Sequence, residues 1–227
     1  MIKITNGSKT IADKKLLNDI SFKLEKGQIV GLLGPNGCGK TSLIRTIVGD
    51  YSLNEGEIEV ENFPTRQSRI EGIAYMPSES LFTNTFLLKL IDVFEATNDD
   101  FSKDRMMELM KKFSLPHFSK FSKLSKGQKK AFHLSLVLSR DCEYYVLDEP
   151  LNGIDPSYRK MIIDEILESI NTEEKLIIIS SHQLNEIDEI LDTLLLMEEG
   201  SLEGIYDIDE IRVENNLYDW YIEKYRH

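Results

Sequence analysis

Residues 34–41 read GPNGCGKT, and the residues before them, 28–33, form an apolar run of strand length. No other feature of the chain restricts its fold so tightly. The glycines at Gly34, Gly37 and Gly39 let successive backbone N–H groups turn inward toward an anion, and Lys40 adds a point charge. Residues 41–48 then read as a helix started by the loop itself. A buried strand, a glycine-rich loop and a helix in that order make a phosphate-binding loop, and they call for a sheet covered on both faces.

The rest of the chain supplies such a sheet. Short strands are expected at 2–4, 20–24, 56–60 and 72–76, with a turn at Lys26-Gly27 and a stop at Pro77. Buried strands are expected at 143–147 and 176–180, and further strands at 193–197 and 202–205. Helices are expected at 125–139, at 156–170 with Pro156 in its first turn, and at 183–191. Between 78 and 123 the pattern turns helical, over 86–96 and 103–113, with Asp99 or Asp100 as the cap of the second helix. The expectation is an α/β fold: a P-loop core with a mostly parallel sheet, an N-terminal antiparallel β part and an inserted α-helical subdomain at about 78–140. All 227 residues fit one domain with a C-terminal tail at about 207–227. The tail carries Tyr218, Trp220, Tyr221 and Tyr225, an aromatic stripe expected to pack on its own domain, the alternative being a docking surface.

A formal net charge of -12 argues against a nucleic-acid partner and against direct binding to anionic lipid. The opening MIKITNGSKT lacks the apolar core of a signal peptide, and no run approaches the length of a membrane span. Two cysteines, Cys38 and Cys142, are too few for a disulfide framework. A cytoplasmic protein is expected, and any membrane process would need another chain. Cys38, beside Lys40 and a helix N-terminus, is expected to favour its thiolate.

Three further segments carry chemistry. Residues 144–150, YYVLDEP, end an apolar strand in two carboxylates. Asp148 suits a Mg²⁺ ion together with the Thr41 hydroxyl, and Glu149 falls one residue further on, where a water can approach the terminal phosphate. Residues 124–128 read LSKGQ and residues 180–183 read SSHQ. Ser125 and Gly127 open a helix, so their hydroxyl and N–H groups suit an anion.

These motifs, in this order, resemble the ATP-binding-cassette (ABC) ATPase family, over Ile2 to about Gly200. The resemblance implies ATP and Mg²⁺ as cofactors. Gly34, Pro35, Asn36, Gly37, Cys38, Gly39, Lys40, Thr41 and Ser42 would cradle the phosphates, with Ser42 at the α-phosphate. It makes Glu149 the general base and His182 the switch histidine at the γ-phosphate. Ser125, Lys126, Gly127 and Gln128 would cap the γ-phosphate held by a second subunit, and Asn152, Gly153 and Asp155 would form the D-loop crossing between the two sites. The implied partners are a second ABC ATPase, in a homodimer or heterodimer, and integral membrane transporter subunits, with no nucleic acid. The protein would sit on the cytoplasmic face of the membrane through them. An apolar groove beside Leu81, Phe82 and residues 86–90 would receive the membrane subunit.

Four positions depart from the family pattern. Lys126 stands in place of the common glycine, which resembles exporters with separate ATPase and membrane chains. Asn152 replaces a serine. Ile11 falls where an aromatic usually stacks on adenine. Ser78 and Glu79 occupy the position of a glutamine that reaches Mg²⁺ and couples to the membrane subunit, so turnover and coupling are affected before binding is. The leading reading is the ATP-hydrolysing subunit of an ABC transporter, an exporter. The alternative is a soluble ABC ATPase of an assembly machine, of the iron–sulfur scaffold type. A nucleotide-gated regulator with little turnover is a third reading, against which Glu149 and His182 count.

Overall fold

The computed structural model describes residues 1–79, 82–169, 174–214 and 216–225, with the side chains of Glu214 and Tyr225 left aside. Leu81, part of the expected groove, and Ile170, the expected end of a helix, lie outside them. Strands β1 (Ile2–Ile11) and β2 (Lys14–Leu24) form a bulged antiparallel hairpin. Its two turn residues, Ala12 and Asp13, both have positive φ, 45° and 65°, which matches the twist a two-residue hairpin turn requires. Next come β3 (Gln28–Leu33), α1 (Lys40–Ile47) and β4 (Glu55–Val60), and β4 adds to the far side of β1. This three-stranded antiparallel sheet is the expected N-terminal β part.

The main sheet has six strands. After α2 (Arg66–Gly72) come β5 (Ile73–Met76), then α3 (Leu87–Thr97), α4 (Lys103–Lys112) and α5 (Lys126–Leu138). Then follow β6 (Tyr144–Asp148), α6 (Pro156–Ser169), β7 (Leu176–Ser181), β8 (Thr193–Glu198) and β9 (Ser201–Asp207). The order across the sheet is β5-β6-β7-β3-β8-β9, parallel throughout except for the antiparallel β9. Alternate residues of β3 serve two cores: Ile29 and Leu33 face the helical side, Val30 and Leu32 face the N-terminal sheet. Every strand of the parallel part is buried on both faces, hence its continuous apolar reading.

Among the described residues between β5 and β6 there are helices but no strand, only the isolated bridges Phe86–Lys120 and Phe101–Arg140. The helices are fastened to α6 through Glu165, fully buried, whose oxygens lie 2.6 Å from Arg105 Nη2 and 2.6 Å from Lys112 Nζ. The Lys112 contact is ionic, set off the hydrogen-bonding direction. Two local expectations are corrected. The cap of α4 is Ser102, whose hydroxyl accepts from Arg105 N, while Asp100 is drawn away to Arg140 and Cys142. Residues 183–191 form two 3₁₀ turns, Leu184–Glu186 and Asp188–Ile190, because buried Ile187 at φ -135° interrupts helical geometry.

The tail folds as α7 (Ile208–Glu214) and α8 (Leu217–Tyr225). Trp220 meets Tyr206 of β9 edge-on at 4.7 Å, Lys224 lies over both rings, and Leu217 is buried. Trp220 and Tyr221 therefore pack on the tail's own sheet, while Tyr218 stays exposed. Among the described residues no helix is long and apolar enough to cross a membrane.

Candidate active site

The parallel strands end along one edge of the sheet, where such folds bind ligands. β3 releases the phosphate loop there, β6 ends in Asp148 and Glu149, and β7 ends in Ser180 and Ser181, with His182 following. Two glycines are sterically required in the loop. A Cβ on Gly34 would sit 2.2 Å from the Met197 carbonyl oxygen, and one on Gly39, at φ 113°, would sit 2.8 Å from that of Leu16. The loop thus rests on β8 and the β1–β2 hairpin, with its anion-facing side open.

Lys40 is buried and donates to the loop's own carbonyls, Gly34 O at 2.7 Å and Pro35 O at 3.2 Å. Its Nζ also lies 3.8 Å from Glu149 Oε1. Thr41 Oγ1 donates to Asp148 Oδ2 at 3.0 Å, which links α1 to the end of β6. Ser180 completes the support: its hydroxyl donates to Asp148 Oδ1 at 2.6 Å and accepts from Glu149 N at 2.9 Å. Glu149 itself takes a left-handed backbone, φ 50°, uncommon for a residue with a side chain. That turn sends its carboxylate to His182, Oε2 to Nδ1 at 2.9 Å. His182 Nε2 lies 3.0 Å from the Gln183 side-chain nitrogen, so the consistent tautomer has Nδ1–H donating to Glu149 and Nε2 accepting.

A cavity of about 490 Å³ opens over these groups, lined by Asn36, Lys40, Thr41, Ser42, Glu149 and, from the hairpin, Leu16. The size suits a nucleotide-sized ligand. Beside it lies a second cavity of about 290 Å³, lined by Glu79, Lys126, Lys129, Lys130 and His133. Ser78 and Asn152 line both.

Other expected residues lie apart from the main cavity. Ile11 is exposed at the end of β1, outside its lining, although the same hairpin supplies Lys14, Lys15 and Leu16. Cys38 is buried beneath the loop, with Sγ 2.7 Å from the Cβ position of Gly34. Burial pushes its thiol up, overcoming Lys40, which is the opposite direction to the one expected. Ser125, Gly127 and Gln128 do not line the cavity beside their own loop. Ser125 and Gln128 form a capping box on α5, each side chain bonded to the other's backbone N–H, at 3.2 and 3.0 Å. Gly153, at φ 73°, lies under Lys126, and Asp155 caps α6 through Tyr158 N. Sequence reasoning missed Leu16 and Gly200, brought in by the hairpin and the β8–β9 turn, and no short motif marks either.

Comparison with known proteins identifies the family. The family model described as ABC transporter matches residues 17–152, more than half of the chain. The chain belongs to the ABC transporter family. The cassette is 31% identical over 220 residues to the ABC transporter ATP-binding protein YtrB of Bacillus subtilis, covering 94% of this chain and 74% of that one. It is 28% identical over 209 residues to the lipopolysaccharide export system ATP-binding protein LptB of Escherichia coli, covering 87% and 86%. A dimeric cassette, MJ0796, in a post-hydrolysis state bound to ADP and Pi, superposes with a TM-score of 0.80 at 18% identity, covering 92% of this chain and 99% of that one. The fold is that of an ATP-binding cassette.

Proposed function

We propose that this cassette hydrolyses ATP to ADP and phosphate as one half of a two-cassette sandwich, that it drives integral membrane subunits, and that the direction is export. The observation that carries the catalytic part is the Glu149 carboxylate held 2.9 Å from His182 Nδ1 and 3.8 Å from Lys40 Nζ. Lys40 exchanges its loop carbonyls for the β- and γ-phosphate oxygens of the substrate, and Ser42 meets the α-phosphate. Glu149 takes a proton from the water that attacks the γ-phosphorus, and His182 keeps the carboxylate aimed there. Thr41 and Asp148, hard oxygen donors 3.0 Å apart, would hold Mg²⁺, which would supply charge neutralisation to the bound phosphates.

The location of the α5 N-terminus outside its own phosphate cavity supports capping of the partner's nucleotide by Ser125, Lys126, Gly127 and Gln128, with Asn152, Gly153 and Asp155 crossing between sites. Residues 78–140 act as the helical subdomain that receives the membrane subunit, near half-exposed Phe86. Lys126 and the likeness to an export-system protein support export. The test is Glu149→Gln: Mg-ATP binding should persist while turnover falls by about 10²-fold or more. Turnover above roughly a tenth of wild type removes Glu149 from the role of base.

A further inference from the structure

Glu149 owes its position to more than the strand it ends. Its backbone is left-handed, and its carbonyl oxygen takes only a weak bond from its own loop, from Asn152 N at 3.4 Å. The strong donor is Lys130 Nζ, at 2.7 Å. The same ammonium donates to Ser78 O at 2.9 Å. Lys130 lies on α5, two residues beyond the LSKGQ segment, so one side chain ties three pieces of chain together: the signature helix, the Ser78 loop and the end of β6. Of the two residues whose carbonyls it joins, Ser78 lines both cavities and Glu149 the larger one.

We propose that Lys130 is a positioning residue for hydrolysis: it fixes the peptide plane after Glu149, and so the aim of its carboxylate, and makes that aim depend on where the signature helix sits. The inference rests on Glu149 as the base. Geometry carries it. A left-handed non-glycine backbone persists only when its surroundings over-determine it, and the bond from Lys130 is the strongest given to that carbonyl. An ammonium is the stronger kind of donor, and Lys130 is partly buried where it makes both bonds. A displacement of α5 by a second cassette would reach Glu149 and Ser78 together through the two Lys130 bonds.

The experiment compares wild type, Lys130→Met, Lys130→Arg, Glu149→Gln and the Lys130→Met/Glu149→Gln pair, measuring Mg-ATP turnover, Mg-ATP affinity and thermal midpoint. Lys130→Met keeps the stem and loses the donors. Its kcat should fall about 10- to 100-fold with KM and affinity within about threefold, because misplacing a catalytic group harms the reaction before it harms binding. Lys130→Arg, which keeps donors, should recover much of the loss. In the Glu149→Gln background Lys130→Met should cost little more, since both changes disable one unit. Turnover of Lys130→Met within twofold of wild type overturns the proposal. So does a loss of affinity or thermal midpoint that matches the loss of turnover, or full additivity in the pair. Normal turnover of Glu149→Gln would instead sink the assignment of the base and be recognised as such.

Discussion

Cys38 shows how a residue inside a reactive motif becomes inert. Its thiol is 5% exposed and is raised above its ordinary pKa by burial, so iodoacetamide should label it at least roughly a hundredfold more slowly in the native protein than in denaturant. Similar rates in the two states would show that the loop opens freely. His133 gives a second residue-scale prediction. It is buried on α5 against the Phe82 ring, and burial, with Lys130 adding to it, holds it down to about 4. The unfolded chain binds a proton near pH 6.5 that the folded chain refuses, so stability falls as pH drops from about 6.5 to about 4. Between pH 7.5 and pH 5 this one group should remove about 2 kcal/mol, and His133→Phe should flatten that part of the profile in denaturant titrations. The residues proposed for catalysis and metal binding were legible because their motifs are local in sequence: Lys40, Thr41, Asp148 and Glu149 lie within short runs. Leu16 and Lys130 were not, since each reaches the site through a tertiary contact between segments far apart in the chain.

At the scale of elements, the ion cluster between α4 and α6 makes an asymmetric prediction. Glu165 is fully buried while Arg105 and Lys112 both reach solvent. Glu165→Gln removes the buried carboxylate and leaves Arg105 and Lys112, which water can solvate, and should cost about 2 kcal/mol in urea unfolding. Replacing Arg105 and Lys112 together by alanine strands a buried carboxylate and should cost more, about 3–5 kcal/mol. Equal costs would mean that the cluster is solvated. The same scale explains what could be read in advance. The strands of the parallel sheet announce themselves as apolar runs, and α5 announces itself by its Ser125–Gln128 box. Helix α2, with sequence RQSRIEG, has no apolar stripe, and only the Thr65–Ser68 box marks its start. The 3₁₀ turns after β7 read as a helix because their apolar spacing is helical, while burial of Ile187 sets their geometry.

For the whole molecule, the sandwich makes a prediction of mass. Glu149→Gln with Mg-ATP should elute from a sizing column as a dimer, and adding Ser125→Arg, on the exposed α5 N-terminus, should return it to a monomer that still binds nucleotide. A dimer that survives Ser125→Arg would mean that the two copies meet by another face. The strand order of the main sheet has a consequence for how the protein is made. β3 carries the phosphate loop at the centre of that sheet, yet its neighbours are β7 and β8, from the far end of the chain. On the ribosome, residues emerge at about 5–20 per second. The hairpin and β4 can pair as soon as they leave the exit tunnel, while β3 waits as an unpaired apolar segment until Leu176 and Thr193 have been synthesised. For most of translation the nascent chain therefore exposes an apolar central strand, which is the interval in which a chaperone would be needed and a premature stop would leave a sticky fragment.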